Sequence, residues 1–397
     1  MTDLSASRHT EYKAKNKIRF VTAASLFDGH DAAINIVRRI LQASGAEVIH
    51  LGHNRSVDEV VAAALQEDVQ GIAVSSYQGG HVEYFKYMID LLREQGGENI
   101  KVFGGGGGTI THEDAAMMLR KGVDEIFFAG TSLDEMVKFV HQRYGKPRAK
   151  RSRAKSPDIE LAHKLTEIED KMKIRNSKFE IRNSRQSRVI GFTGPGGAGK
   201  TTLIDELVLR FLNTDRQSRV AILSHDPSVI GEGALLGDRA TMINSQNDRV
   251  FMRSMATRGQ AGGLSPATHD CLALLARSGF DYVIIETVGT GQEAMPFQKN
   301  GIVDQTVLVM NPDYGSRLQL QKIVMLDLAD IVVVNKSDLQ RARTAHTEIE
   351  QRLEQNRRAQ RLVDTVAKRH RDAGVDKLFG LISTSDKSKR GKERKKP

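Results

Sequence analysis

The stretch that most constrains this chain runs from Gly191 to Thr202. Within it Gly194-Pro195-Gly196-Gly197-Ala198-Gly199-Lys200-Thr201 satisfies G-x-x-x-x-G-K-[ST], and Thr202 follows directly. The residues before it, Arg188 to Thr193, are mostly apolar and predict a short buried strand. Those after it, Leu203 to Leu212, carry apolar side chains at helical spacing. Strand, glycine loop and helix are the context this motif requires. In that setting successive backbone N–H groups turn inward around a phosphate, and the helix N-terminus adds its positive end. Lys200 is placed to neutralise the outer phosphates, and the Thr201 hydroxyl to ligate Mg²⁺. The chain is therefore expected to bind a nucleoside triphosphate. A glycine-rich turn that binds nothing would not need both flanking elements.

The whole chain has 397 residues, room for two or three domains, and 39% hydrophobic residues for their cores. No uninterrupted apolar run is long enough to span a membrane. The N-terminal stretch is polar and mixed in charge, unlike a secretory signal. The lone Cys271 excludes an internal disulfide framework, suits a cytoplasmic protein, and sits in an apolar helical run as ordinary core. The net charge of +10 is not spread over the fold. Residues 146–155 carry +6, and so do residues 387–397, so these two segments exceed the whole excess. Neither interleaves aromatic side chains for stacking on bases. They are expected as solvated segments, and a nucleic-acid partner is not expected.

Residues 1–16 look disordered. From Ile18 onward strands and helices alternate. Strands are expected at Ile18–Ala24, Glu47–Leu51, Gly71–Ser75, Lys101–Phe103 and Glu125–Phe128. Amphipathic helices are expected at about 32–44, 57–66, 80–95, 112–121 and 132–143. This predicts a doubly wound parallel α/β sheet, whose ligands lie beyond the carboxyl ends of the strands. The loops there contain Asp28-Gly29-His30, Ser75-Ser76-Tyr77, the run Gly104 to Gly108, and Gly130-Thr131. Five consecutive glycines leave backbone where side chains would obstruct, as a large flat ligand would need. His30, two positions after Asp28, has two readings on these residues alone. It is a surface histidine near a helix N-cap aspartate, or a metal ligand whose other ring nitrogen faces a carboxylate.

Asp28-x-His30-x-x-Ala33, Ser75-x-Tyr77 and Gly107-Gly108 resemble the signatures of cobalamin-binding domains of the base-off, histidine-on type, with Ala33 and Tyr77 departing from the usual glycine and leucine. The longer strings around them are similar to the fused isobutyryl-CoA mutase branch. The resemblance implies a flavodoxin-like (Rossmann-type) domain over residues 17–143. It implies His30 as the lower axial ligand to cobalt with Asp28 as its partner. It also implies that Gly29, Ser75, Tyr77, Gly107, Gly108, Gly130 and Thr131 surround the displaced tail of adenosylcobalamin.

Residues 144–186 interrupt the alternation. They are basic, then helical from Ile159 to Lys173, then repeat Ile-Arg-Asn-Ser at 174–177 and 181–184. One short repeat is no solenoid, and a linker is expected. A second α/β domain follows over 187–382, with a basic tail at 383–397. Strands Arg219–Ser224 and Asp281–Glu286 lead into His225-Asp226-Pro227-Ser228 and Thr287-Val288-Gly289. At strand ends in a parallel sheet, Asp226 and Glu286 would face the phosphates, where carboxylates hold Mg²⁺ directly or through water. Gly289 and Gly291 would let their loop move with the nucleotide. The buried strand from Ala329 ends in Asn335-Lys336-Ser337-Asp338. A carboxylate there accepts from the ring N–H and exocyclic amine of guanine, a donor pair that adenine lacks, so the substrate is expected to be GTP. A long charged helix is expected over about 342–372.

The span 187–340 resembles the MeaB/ArgK family of G-protein chaperones of cobalamin mutases. The resemblance lies in the loop at 194–202, Asp226-Pro-Ser, Gly233-Ala-Leu-Leu-Gly-Asp238-Arg, Glu286-Thr-Val-Gly-Thr-Gly-Gln and Asn335-Lys-Ser-Asp. It implies Thr201, Asp226, Asp238, Glu286 and Thr287 as the Mg²⁺-side residues, with Lys200 and Glu286 catalytic. Residues 293–297 lack the serine and acid usual after Gln292. The segment 366–379 also resembles the end of that family's G domain, and is expected either to make a homodimer contact or to be an ordinary packed or solvated helix. The fused mutases carry in addition a substrate barrel of about 250 residues, for which no room is left here. The expectation is a cobalamin-binding GTPase serving a separate acyl-CoA mutase barrel subunit. The alternative is the cobalamin-binding part, or a truncated fragment, of such an isomerase.

Overall fold

The computed structural model describes residues 17–29, 31–145, 151, 154–171, 187–229, 232–289, 297, 303–314, 324–356 and 358–384. His30, the repeat at 174–184, Gly291, Gln292, most of the basic segment, the N-terminal stretch and the tail lie outside the described residues. The chain forms two compact units, one of residues up to 166 together with 227–240, the other of 167–226 together with 241 onward.

In the first unit β1 (Arg19–Ser25), β2 (Glu47–Arg55), β3 (Gly71–Ser75), β4 (Lys101–Gly105) and β5 (Glu125–Phe127) alternate with helices at Asp31–Ala43, Val57–Gln66, His81–Gln95, His112–Lys121 and Leu133–Tyr144. Every pairing is parallel, in the order β5-β4-β3-β1-β2. Helix starts follow local chemistry. Ser56 and Thr111 close capping boxes with Glu59 and Asp114, which satisfies two otherwise orphan N–H groups at each start. β1 is buried along its whole length, as a central parallel strand covered on both faces must be. Phe20 on it packs edge-on against Tyr144, ring centroids 4.9 Å apart, so the last helix closes the core. The order reverses between β1 and β3, and the crevice this opens is where ligands of such sheets lie.

A sixth strand completes this sheet. β8 (Ala234–Leu236) lies in sequence between strands of the other unit, yet it pairs in parallel with β2, Ala234 opposite Glu47 and Leu236 opposite Ile49. Three residues of Ala-Leu-Leu show no strand period, and the sequence pattern does not anticipate them.

The second unit has seven parallel strands in the order β13-β12-β11-β6-β10-β7-β9. They are β6 (Arg188–Thr193), β7 (Val220–Asp226), β9 (Val250–Ala256), β10 (Tyr282–Glu286), β11 (Gln305–Met310), β12 (Ile331–Asn335) and β13 (Arg361–Thr365). β6, central and flanked by β10 and β11, feeds the glycine loop and then the helix Lys200–Thr214. That helix buries Leu203, Leu207 and Phe211 against the sheet. The single helix expected over 342–372 is corrected. It ends at Glu354, and β13 follows at the sheet edge. Val363 and Thr365 point into the core while Arg361 and Asp364 stay exposed. An edge strand with one open flank accepts charges of this kind, which hide its apolar alternation among polar residues. Cys271 is buried core as expected. Among the described residues no helix is long and apolar enough to cross a membrane.

Candidate functional site

The loop after β6 is shaped by what its glycines permit. Gly194 has φ +140°, and a Cβ there would fall 2.0 Å from the Val309 carbonyl oxygen. Gly199, at φ +85°, is the N-cap of the following helix. The buried Lys200 ammonium curls over the loop and donates to the carbonyls of Gly194 (3.0 Å) and Pro195 (3.3 Å). Thr201 Oγ1 donates to Glu286 Oε1 at 2.9 Å, which joins the first turn of the helix to the end of β10. Thr287 is tied to β6 twice, through its N–H to the Phe192 carbonyl and its hydroxyl to Thr193 Oγ1 at 3.1 Å. Gly289 closes over the loop so tightly that a Cβ would meet Gly196 at 2.6 Å.

The Asn335–Asp338 segment, expected to read the base, is held by the same loop. Asn335 donates from Nδ2 to the Ala198 carbonyl (2.8 Å), and its Oδ1 accepts from Thr365 Oγ1 and the Ala367 N–H. Lys336 lies at φ +59° and donates from Nζ to the Gly197 carbonyl at 2.7 Å. The Ser337 N–H donates to the Thr365 carbonyl. Asp338 takes Lys368 Nζ at 2.8 Å with Arg369 nearby, and the lysine hydrogen bond holds its carboxyl below the usual range. The side chain assigned to guanine is therefore here an ion-pair partner of the segment after β13.

Of the expected metal-side residues, the second unit brings Thr201, Glu286 and Thr287 together, and places Asp226 on β7, the strand that neighbours β10. Asp238 belongs to the first unit. Among the described residues no group of three or more His, Cys, Asp or Glu side chains that could hold a metal ion is found. His225 is a residue that sequence reasoning passed over. Burial pushes its imidazole down to about 4, so the ring is neutral. A carbonyl can only accept, so Nδ1–H donates to the Glu286 carbonyl (2.9 Å) and Nε2 accepts from Thr268 Oγ1 (2.7 Å). His225 thus fixes the backbone of Glu286 from the neighbouring strand. Only its place at a strand end beside Asp226 could have marked it.

In the first unit a cavity of about 210 Å³ opens at the carboxyl ends of β3, β4 and β5. Its walls include Ile34, Val37, Ser75, Tyr77, the backbone from Gly104 to Gly107, Gly130 and Thr131. Among the described residues the buried Ser75 hydroxyl has no hydrogen-bond partner. Asp28 is fully buried and accepts the Tyr77 N–H at 2.8 Å, which ties the first loop to the third. An apolar slot with one orphan hydroxyl suits a flat heteroaromatic group that offers one polar atom.

The sequence profile described as "Methylmalonyl Co-A mutase-associated GTPase MeaB" matches residues 163–395. The chain belongs to this family. In front of that region residues 18–137 match the B12 binding domain. The chain is similar to the fused isobutyryl-CoA mutases of Geobacillus kaustophilus (43% identical, 95% of this chain and 37% of the relative), Cupriavidus metallidurans (46%, 92% and 36%) and Nocardia farcinica (45%, 86% and 33%). It spans about a third of the length of these relatives. The loop of 194–202 and the Thr201–Glu286 contact lie within the region that matches MeaB, and the slot-lining Ser75 lies within the region that matches the B12 binding domain.

Proposed function

We propose that this chain binds GTP and adenosylcobalamin, and that GTP binding and hydrolysis gate the loading or protection of the cofactor for an acyl-CoA mutase. The observation that carries the reading is the Thr201–Glu286 contact beside the glycine loop, in a chain whose other unit holds a slot with an orphan serine hydroxyl. Loop amides and Lys200 would stabilise the transferring phosphoryl group, and catalysis would be positioning plus electrostatics. Thr201, Asp226 and Glu286, with Asp238 and Thr287, are the candidates to hold Mg²⁺, which would supply positive charge against the phosphates. Asn335 supports the loop, and Asp338 would exchange Lys368 for guanine. Ser75 would give its hydroxyl to the cofactor's tail, Asp28 would hold the third loop through Tyr77, and His30 would ligate cobalt. The protein is proposed to work in the cytoplasm, as a homodimer with a separate barrel subunit. The length of its relatives favours a second reading, in which the chain is the cobalamin-binding part of the isomerase itself.

One paired measurement tests the proposal. GTP turnover should fall on the order of 100-fold or more in Lys200→Ala. The same variant should still give the base-off spectrum with adenosylcobalamin, and His30→Ala should not. Turnover at the parent rate in Lys200→Ala ends the nucleotide assignment. An identical spectrum in His30→Ala ends the axial-ligand assignment. Acyl-CoA isomerisation that appears only on adding a barrel subunit, and is indifferent to Lys200→Ala, selects the second reading.

A further inference from the structure

A buried charge cluster in the second unit takes no part in the site described above. Glu169 stands in the last turn of the helix Pro157–Lys171, whose residues from Glu167 onward belong to that unit. The side chain is buried. Its Oε1 accepts from Arg253 Nη2 at 2.7 Å and from Arg253 Nε at 3.1 Å, and its Oε2 accepts from Arg258 Nη2 at 2.7 Å. Arg253 lies in the middle of β9, the edge strand of the seven, and is fully buried. A guanidinium held out of water needs a carboxylate beside it, and one oxygen of Glu169 meets that need. The other oxygen goes to Arg258, whose side chain still reaches solvent. Burial, and after it the Glu169 charge, push the Cys271 thiol up, so the charge is felt on the helix Thr268–Leu275 that also carries the partner of His225.

Arg258 opens a loop that leads to the glycine loop of the same unit. β9 ends at Ala256, and residues 257–263 follow it. Arg258, Gly259, Gly262 and Gly263 have φ of 52°, 75°, 102° and 69°. Left-handed backbone in a non-glycine residue persists only where its surroundings hold it. A stretch so rich in glycine also loses much entropy on being ordered, so its place depends on its anchors. The Thr257 N–H donates to the Asp226 carbonyl at 3.1 Å, and Arg258 is held by Glu169. At the far end the Gly263 carbonyl accepts the Val288 N–H at 3.1 Å. Val288 stands between Thr287, which is tied to β6, and Gly289, which closes over Gly196. A Cβ on Gly289 would also lie 2.9 Å from Lys200 Nζ. A line of contacts within the second unit therefore runs from Glu169 through Arg258 and Gly263 to the backbone that lies on Lys200.

We infer that Glu169 is a positioning residue for GTP hydrolysis: it holds Arg258, which fixes the loop 257–263 against Val288 and so keeps residues 287–289 in place over Lys200. The inference rests on the proposed nucleotide site. The two oxygens of Glu169 have separate tasks, Oε1 to compensate the core charge of Arg253 and Oε2 to set the loop. Loss of the second task disturbs the segment beside Lys200, where phosphoryl transfer depends on exact placement. It disturbs nucleotide binding little, because the proposed phosphate and base contacts come from 194–202 and 335–338.

Steady-state GTP turnover of the full chain, measured beside the Kd of a fluorescent non-hydrolysable guanine nucleotide, tests this. In Glu169→Gln kcat should fall about ten-fold or more while Kd stays within about two-fold. Arg258→Ala should lower kcat by the same factor. The double variant should fall no further, because both changes remove one contact. Hydrogen exchange at the Val288 amide should be faster in each of the three. If Glu169→Gln does not fold, because Arg253 is left buried without its carboxylate, Arg258→Ala and Arg258→Lys carry the test, the lysine recovering part of the kcat that the alanine loses. Parent-level kcat in Glu169→Gln or Arg258→Ala overturns the positioning role and leaves the nucleotide site intact. Losses that multiply in the double variant, Kd weakened as much as kcat, or unchanged exchange at Val288 do the same. A parent chain that hydrolyses no GTP overturns the proposed function and this inference with it.

Discussion

The two units carry glycine clusters at equivalent places, the carboxyl ends of parallel strands, and the clusters exist for opposite reasons. In the second unit Gly197 and Gly199 have φ of +72° and +85°, and the glycines let backbone amides turn inward. In the first unit Gly104, Gly105 and Gly106 have no such backbone need. A Cβ would lie 2.1 Å from the Val74 carbonyl oxygen, 2.5 Å from that of Phe127 and 1.9 Å from that of Ser76. Their neighbours within the sheet exclude a side chain before any ligand does. The expectation that five glycines make way for a flat ligand is narrowed accordingly. Gly104 to Gly107 line the slot, but the first three are required by strand packing, and of the five only Gly108 has open space around it.

Three substitutions grade this contrast. Gly106→Ala should act most strongly. Backbone cannot yield as a flexible side chain would, so a loss of about 3 kcal/mol or more is expected in urea unfolding of the first unit. A shift within about 0.5 kcal/mol would mean that the Ser76 segment relaxes and that packing is not the cause. Gly197→Ala meets no atom within 4 Å and carries only the left-handed backbone cost, about 1–2 kcal/mol. Its larger effect should be on GTP affinity, since the amide next to Ala198 would reorient. Equal loss of stability and no loss of affinity would remove that loop from the nucleotide site. Gly108→Ala should leave stability within about 0.5 kcal/mol, because nothing lies near and its φ is ordinary. Weaker adenosylcobalamin binding without destabilisation would make Gly108 the one glycine of the five kept for the ligand. Unchanged binding would assign it no role there.

Much of the fold was legible because its signals are local. Apolar period placed the helices Val57–Gln66 and His112–Lys121 and the strand Gly71–Ser75 at their observed bounds. Lys200, Thr201 and Asn335 follow from short motifs whose spacing is their geometry. Less legible were sites whose meaning depends on a partner far away in sequence. The neutral state of His225 comes from burial between β7, β10 and Thr268. Asp338 is paired by Lys368 from beyond β13, in a region whose charges mimic a helix.

The amino-acid sequence by itself determined two parallel α/β sheets, a glycine loop between strand and helix, and an Asn-Lys-Ser-Asp segment at a strand end, because each is written in contiguous residues. Only the tertiary structure decided that Gly233 to Arg239 belong to the first unit and complete its sheet. A three-residue strand has no period to read. Its place was set by a free β2 edge, a carbonyl pair that tolerates only glycine, and a buried Glu67 that takes Arg239 as a partner, all more than 160 residues away in sequence.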